Sequence, residues 1–163
     1  MPDPRRIVPD TSVLVAAMLQ QGEQTARAQN ALNAIWNGTI TCYAPDVLLV
    51  EFMKIAVQFR HGSRRGGVGL DAGRQLETFL RLPINYIPSM DLVSTAFNDC
   101  DRHEIPAPDS WFLAAAELKE AELWIARETK DRFASSAASV YDKVYTLQRH
   151  EFGHAPKKRR GTK

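Results

Sequence analysis

Arg5-Arg6-Ile7-Val8-Pro9-Asp10-Thr11-Ser12-Val13-Leu14-Val15 is the stretch that decides how this chain reads. A short run ending in Ile7-Val8-Pro9 reads as a strand, and it delivers one carboxylate, Asp10. Two hydroxyl residues follow at once, and then an apolar run that can open a helix. In open α/β sheets, ligand sites collect where the chain leaves the carboxyl ends of strands. An acid flanked by hydroxyls at that place offers hard oxygen donors, which suit Mg2+ or Mn2+. Asp10 is therefore expected to be one member of a set of acids converging on such an ion.

Outward from this stretch, strand-like and helical patterns alternate. Ser12 to Leu19 reads as helix, and so does about Gln24 to Asn37, with Ala28, Leu32, Ile35 and Trp36 on one side. Asn37-Gly38 is a turn signal, and Thr39 to Ala44 is a β-rich run. Pro45-Asp46 starts a helix in which Glu51 and Lys54 stand among apolar residues, with Asp46 as its N-cap. Arg60 to Gly73 is glycine-rich and lacks both phosphate-cradling patterns, so it reads as a flexible connector or as a mobile basic arm. A short helix over 74–82 and a strand from Leu82 to Pro88 follow, and Ser89 caps a helix running to about His103. Ile105-Pro106-Ala107-Pro108 reads as extended, because a residue before proline avoids the α region. Asp109-Ser110 then opens a helix over Trp111 to Ala121. Leu123 to Ala126 reads as a strand, Arg127 to Arg132 as a polar loop, and Val140 to Leu147 as a last strand. This alternation favours an α/β layer fold with a mostly parallel sheet.

Four places then share one character, an acid at a strand end or on the first turns of the next helix. They are Asp10, Glu51, Asp109, and Glu128 with Asp131 close by. Taken singly, each has an ordinary reading as a helix cap or a surface charge. Taken together they are harder to dismiss. Glu51 lies between Val50 and Phe52, and Asp109 precedes Trp111, Phe112 and three alanines. Acids at the ends of buried elements are costly unless paired or metal-bound, and a divalent cation relieves their mutual repulsion.

At these residues the chain resembles a known family. Ile-Val-Pro-Asp10-Thr-Ser-Val-Leu, Val-Glu51-Phe-Met-Lys, Pro-Asp109-Ser-Trp-Phe-Leu-Ala-Ala-Ala-Glu and Leu-Trp-Ile-Ala-Arg-Glu128-Thr-Lys-Asp131-Arg-Phe are similar to the successive acidic motifs of PIN domains. More narrowly they resemble VapC-type toxins of bacterial toxin–antitoxin pairs, over about residues 5–147. The resemblance implies a PIN-like three-layer fold with a central, mostly parallel sheet flanked by helices. It implies a Mg2+- or Mn2+-dependent endoribonuclease that hydrolyses RNA with metal-activated water, is often a homodimer, and is inhibited by a cognate antitoxin. Asp10, Glu51 and Asp109 match the first three acids, with Asp10 and Asp109 as metal ligands, and Ser12 matches the supporting hydroxyl. The fourth place departs from the pattern, which has Thr and then Asp two residues on. Here Ala126 and Glu128 occupy those positions, with Asp131 three further. Either Glu128 substitutes with its longer arm, the preferred reading, or Asp131 takes the place through a lengthened loop. The irregularity keeps a second reading open: a catalytically degenerate PIN-like module for RNA binding or protein interaction.

Bulk properties set the remaining expectations. The 163 residues, 44% hydrophobic and 25% charged, suit one soluble domain, expected over residues 1–150. No stretch approaches a membrane span and no secretory segment precedes the first strand, so a cytoplasmic protein is expected. Cys42 and Cys100 stand apart, as free thiols would. Five of the lysines and arginines fall in residues 157–163, which hold no acid; without them the net charge of +2 becomes −3. The basic character thus belongs to a tail, 151–163, expected to be disordered. RNA would be drawn by local patches such as Arg60, Arg64 and Arg65, and that attraction would weaken with salt. His150-Glu151-Phe152-Gly153-His154 fits HExxH, but Gly153 and Pro156 oppose the stable helix that a zinc protease needs. The helices over Gln24–Asn37 and Pro45–Phe59 read as a dimer face or as plain core.

Overall fold

Ile7 and Val8 are adjacent in a strand, so they point to opposite faces of the sheet, and both are fully buried. Their strand must therefore be central and covered on both sides. The computed structural model describes residues 5–20, 22–60, 71–126, 132–150 and 152, and of Arg60 and Ala72 the backbone alone. In chain order its elements are β1 (Arg6–Pro9), α1 (Thr11–Met18), α2 (Thr25–Trp36), β2 (Thr41–Pro45), α3 (Val47–Arg60) and α4 (Ala72–Leu80). Then come β3 (Ile84–Ile87), α5 (Ser89–His103), α6 (Ala107–Leu118), β4 (Glu122–Ile125), α7 (Arg132–Val140) and β5 (Val144–Thr146).

The five strands form one sheet in the order β3-β2-β1-β4-β5, and every neighbouring pair is parallel. The expected α/β architecture with a parallel sheet is what forms. Ile7 sits opposite Cys42 on one side and Glu122 on the other. α1 packs against β1 and β4, and α6 against β1, β2 and β4. The core runs through Leu14, Leu48, Phe112, Leu113 and Trp124, and Phe52 of α3 stacks on Phe79 of α4 at 4.2 Å between ring centroids. Cys42 lies in this core, where burial pushes its thiol up to about 12; both cysteines are free.

Several local expectations are corrected. Ala107-Pro108 is not extended: it is the first turn of α6, with Pro106 as N-cap at ψ 138°. A proline in a first turn loses nothing, because its missing N–H would have had no intrahelical partner. Asp109 consequently sits in the first turn and not at its cap. Ser89 does not cap α5, whose N-cap is Pro88; the Ser89 hydroxyl instead donates to Asp46. α4 begins at Ala72, capped by Asp71, whose carboxylate accepts from the amides of Gly73 at 3.0 Å and Arg74 at 3.3 Å. The run after Arg132 is helix α7, anchored by Phe133 and Ala137, and only Val144–Thr146 of the expected last strand is strand.

The end of the described chain is tied to its start. The Arg5 guanidinium donates to both carboxylate oxygens of Glu122, at 2.6 to 2.9 Å, and lies 5.5 Å from the Trp124 ring and 5.2 Å from the Phe152 ring. Phe152 is buried against Trp124 at 5.0 Å, just beyond the expected domain edge at 150. His150 lies after a turn and not on a helix, with Nδ1 3.3 Å from the Thr146 carbonyl. Residues 151 and 153–163, including the rest of HExxH and the basic tail, lie outside the described residues. Among the described residues no helix is long and apolar enough to cross a membrane.

Candidate functional site

The site grows from the turn between β1 and α1. The Asp10 amide donates to the Trp124 carbonyl at 2.8 Å, continuing the β1–β4 ladder one residue past the strand. Asp10 then caps α1 with extended backbone angles, φ −63° and ψ 154°. Its Oδ2 accepts from the Ser12 amide at 3.0 Å and from the Ser12 hydroxyl. The Ser12 Oγ in turn accepts from the Ala126 amide at 3.1 Å. A carboxylate only accepts, so the hydroxyl proton points at Asp10 while the oxygen takes the incoming N–H. The neighbouring hydroxyl serves a second acid: Thr11 Oγ1 donates to Glu51 Oε2 on α3.

Topology explains why these groups meet. From β1 the chain builds outward through β2 to β3, then crosses back to place β4 on the other side of β1. The crevice beyond the carboxyl ends of β1 and β4 is therefore the switch point of the sheet, the place where such folds bind ligands. Asp10 and Ala126 flank it. A cavity of about 610 Å³ opens there, lined among others by Thr11, Ser12, Glu51, Lys54, Pro108 and Ala126. Asp10 lies beneath the wall with 1% of its surface exposed, and Asp109, next to Pro108, has 7%. Asp109 sits in the first turn of α6, where the helix dipole favours a negative charge.

Asp10, Ser12 and Glu51 are thus joined by one short turn, and Asp109 follows a residue of the same cavity wall. Arg64, Arg65, Glu128 and Asp131 lie outside the described residues, as does the Arg60 side chain. The donors present are carboxylates and hydroxyls, a chemistry that fits a hard divalent cation. Among the described residues, however, no group of three or more His, Cys, Asp or Glu side chains is gathered closely enough to hold a metal ion. Two site residues escaped sequence reasoning. Thr11 was noted only as a hydroxyl after Asp10, since nothing local says which acid it serves. Lys54 was legible in principle: it stands three positions after Glu51, and that spacing puts both on one helix face.

No protein-family model matches the chain, and no curated protein does. Solved structures do. The chain is similar to one in a toxin-antitoxin complex from Klebsiella pneumoniae, with 22% identity and a TM-score of 0.56, over 86% of this chain and 97% of that one. It is also similar to one in the structure of FitAB bound to an IR36 DNA fragment, with 16% identity and a TM-score of 0.58, over 91% of this chain and 99% of that one. The fold is PIN-like. At these identities the likeness is one of backbone path. In this PIN-like fold the acidic turn after β1 falls where the topology itself places a binding crevice.

Proposed function

We propose that the protein is a Mg2+- or Mn2+-dependent endoribonuclease, the toxin of a toxin–antitoxin pair, that hydrolyses RNA phosphodiester bonds at the crevice between β1 and β4. One observation carries the reading: consecutive hydroxyls, Thr11 and Ser12, hold Glu51 and Asp10 beside a cavity at the sheet's switch point. The two similar chains belong to a toxin-antitoxin complex and to FitAB bound to DNA, which supports an antitoxin partner. Asp10 and Asp109 would hold the ion, with Glu51 and either Glu128 or Asp131 supporting it through water. Such an ion, when bound, polarises a phosphoryl oxygen and lowers the pKa of water for in-line attack on phosphorus.

The chain's own residues prepare the rest. Ser12 keeps one Asp10 oxygen engaged and so fixes the carboxylate's rotation. Lys54, exposed at the cavity, brings a positive charge toward a phosphate. The cavity lies within the usual range of about 300–1,000 Å³ for small-ligand sites. With the body of the chain at −3, recruitment of RNA falls to Lys54, the loop arginines and the tail. The partners proposed are RNA, a cognate antitoxin and a second copy of the chain, in the cytoplasm. Light scattering after gel filtration tests the homodimer.

The deciding experiment compares wild type and Asp10→Asn on RNA and DNA with Mg2+, Mn2+ and EDTA. Cleavage of RNA that needs the metal and Asp10 supports the proposal. The departure at the fourth place, where Ala126 and Glu128 stand for the pattern's Thr and Asp, favours a second reading, a catalytically degenerate binding module. RNA binding without metal-dependent cleavage would establish that one instead.

A further inference from the structure

We propose that Thr11 is a positioning residue for the site carboxylate Glu51, so that the two adjacent hydroxyls divide the work, Ser12 orienting Asp10 and Thr11 orienting Glu51. This rests on the reading of Asp10 and Glu51 as metal-site acids. Thr11 is 3% exposed, at the first position of α1, and its Oγ1 donates to Glu51 Oε2 across the contact between α1 and α3. Both side chains line the cavity. Glu51 has a long arm with three rotatable bonds, and it is only partly buried. A donor fixed on a neighbouring element removes much of that freedom before any ion arrives.

The geometry separates the two hydroxyls cleanly. Ser12 is held from two sides, by the Asp10 carboxylate and the Ala126 amide, and acts within the β1–β4 edge. Thr11 reaches the other way, 40 residues along the chain, to a helix that leaves β2. Its side chain is short and buried, so the hydroxyl has little room to turn away from Glu51. One dipeptide therefore couples acids from two crossover units of the sheet.

The test uses the full chain and Mn2+ alone, with affinity measured by calorimetry or by electron paramagnetic resonance. Thr11→Val keeps the shape and removes the donor; Thr11→Ser keeps the donor. Loss of an oriented supporting hydrogen bond costs a metal site about 10–100-fold in affinity. The expected result is a loss of that size in Thr11→Val, affinity close to wild type in Thr11→Ser, and no further loss when Thr11→Val is added to Glu51→Gln. Thermal melts of each variant show whether it remains folded. Unchanged Mn2+ affinity in a folded Thr11→Val, with Asp10→Asn impaired, overturns the role of Thr11 and leaves the nuclease reading standing. Equal Mn2+ affinity in wild type, Asp10→Asn and Glu51→Gln overturns both. An equal loss in Thr11→Val and Thr11→Ser also overturns the proposal, because a variant that keeps the hydroxyl would then fail as badly as one that lacks it.

Discussion

The Ala126 amide donates to the Ser12 hydroxyl oxygen at 3.1 Å, joining residues 114 positions apart across the carboxyl ends of β4 and β1. The bond makes Ser12 a bridge: it accepts a hydrogen bond from one strand's end and donates one to the acid at the end of the next. The strand-end acid is therefore oriented by the sheet and not only by its own helix.

Ser12→Ala breaks that bridge twice, freeing the Asp10 oxygen and leaving the Ala126 amide without its acceptor. A buried donor left unsatisfied costs about 1–3 kcal/mol. Urea unfolding should show a loss in that range, and Mn2+ titration a weakening of about 10–100-fold. Ser12→Thr should recover much of both.

Asp10→Asn separates chemistry from folding. Asn caps helices about as well as Asp, so α1 should keep its start and the melting temperature should stay close to wild type. Cleavage should nevertheless fall by at least about 100-fold, the upper end of what a merely supporting residue costs. A variant that melts early while retaining cleavage would show that Asp10 is only a cap.

Arg5 and Glu122 should matter more than an ordinary surface pair. Their side chains are 24% and 19% exposed, the pair is forked, and Trp124 Nε1 adds a third donor to Glu122 at 2.8 Å. Arg5→Ala takes away that carboxylate's charged partner and the cation packed over the Trp124 and Phe152 rings. We expect a loss of about 1–3 kcal/mol in urea unfolding. The Trp124 emission should also change as Phe152 loosens.

Asp99 makes stability depend on pH. It lies on α5, buried, and its Oδ2 has no hydrogen-bond partner among the described residues. Burial raises its pKa, and His103 opposes this; Glu117 on α6 is also raised, by burial and then by Asp99. A raised pKa means the folded chain holds the proton more tightly than the unfolded one. Stability therefore falls as pH climbs through the window between the two values, and the full penalty applies above it. Asp99→Asn should be more stable than wild type at neutral pH, with the gain vanishing below the ordinary carboxyl range. Denaturant midpoints measured across pH would show the two curves converge in acid.

What could be read from the residues was local. Asp10 was legible because a strand end, a cap and two hydroxyls are neighbours in the chain, and the α/β class because helical and β-rich runs alternate. The failures were local rules overridden by their surroundings. Ala107 precedes a proline and should avoid the helix, yet α6 takes it as a first turn because proline needs no amide partner there. α7 is short, and its nine residues are held by burying Phe133 and Ala137 against the core. Ala126 read as a lost hydroxyl, whereas its backbone N–H serves the site.

The sequence by itself determined the parallel-sheet class, the acid at the end of the first strand and the candidate acids that accompany it, since periodicity, capping and residue chemistry act over a few neighbours. Only the tertiary structure decided the strand order that makes the crevice, and the pairing of Thr11 with Glu51 and of Ser12 with Ala126. Those depend on how α3 and β4 pack against the first turn of α1. Contacts between residues 40 and 114 positions apart leave no mark in local pattern.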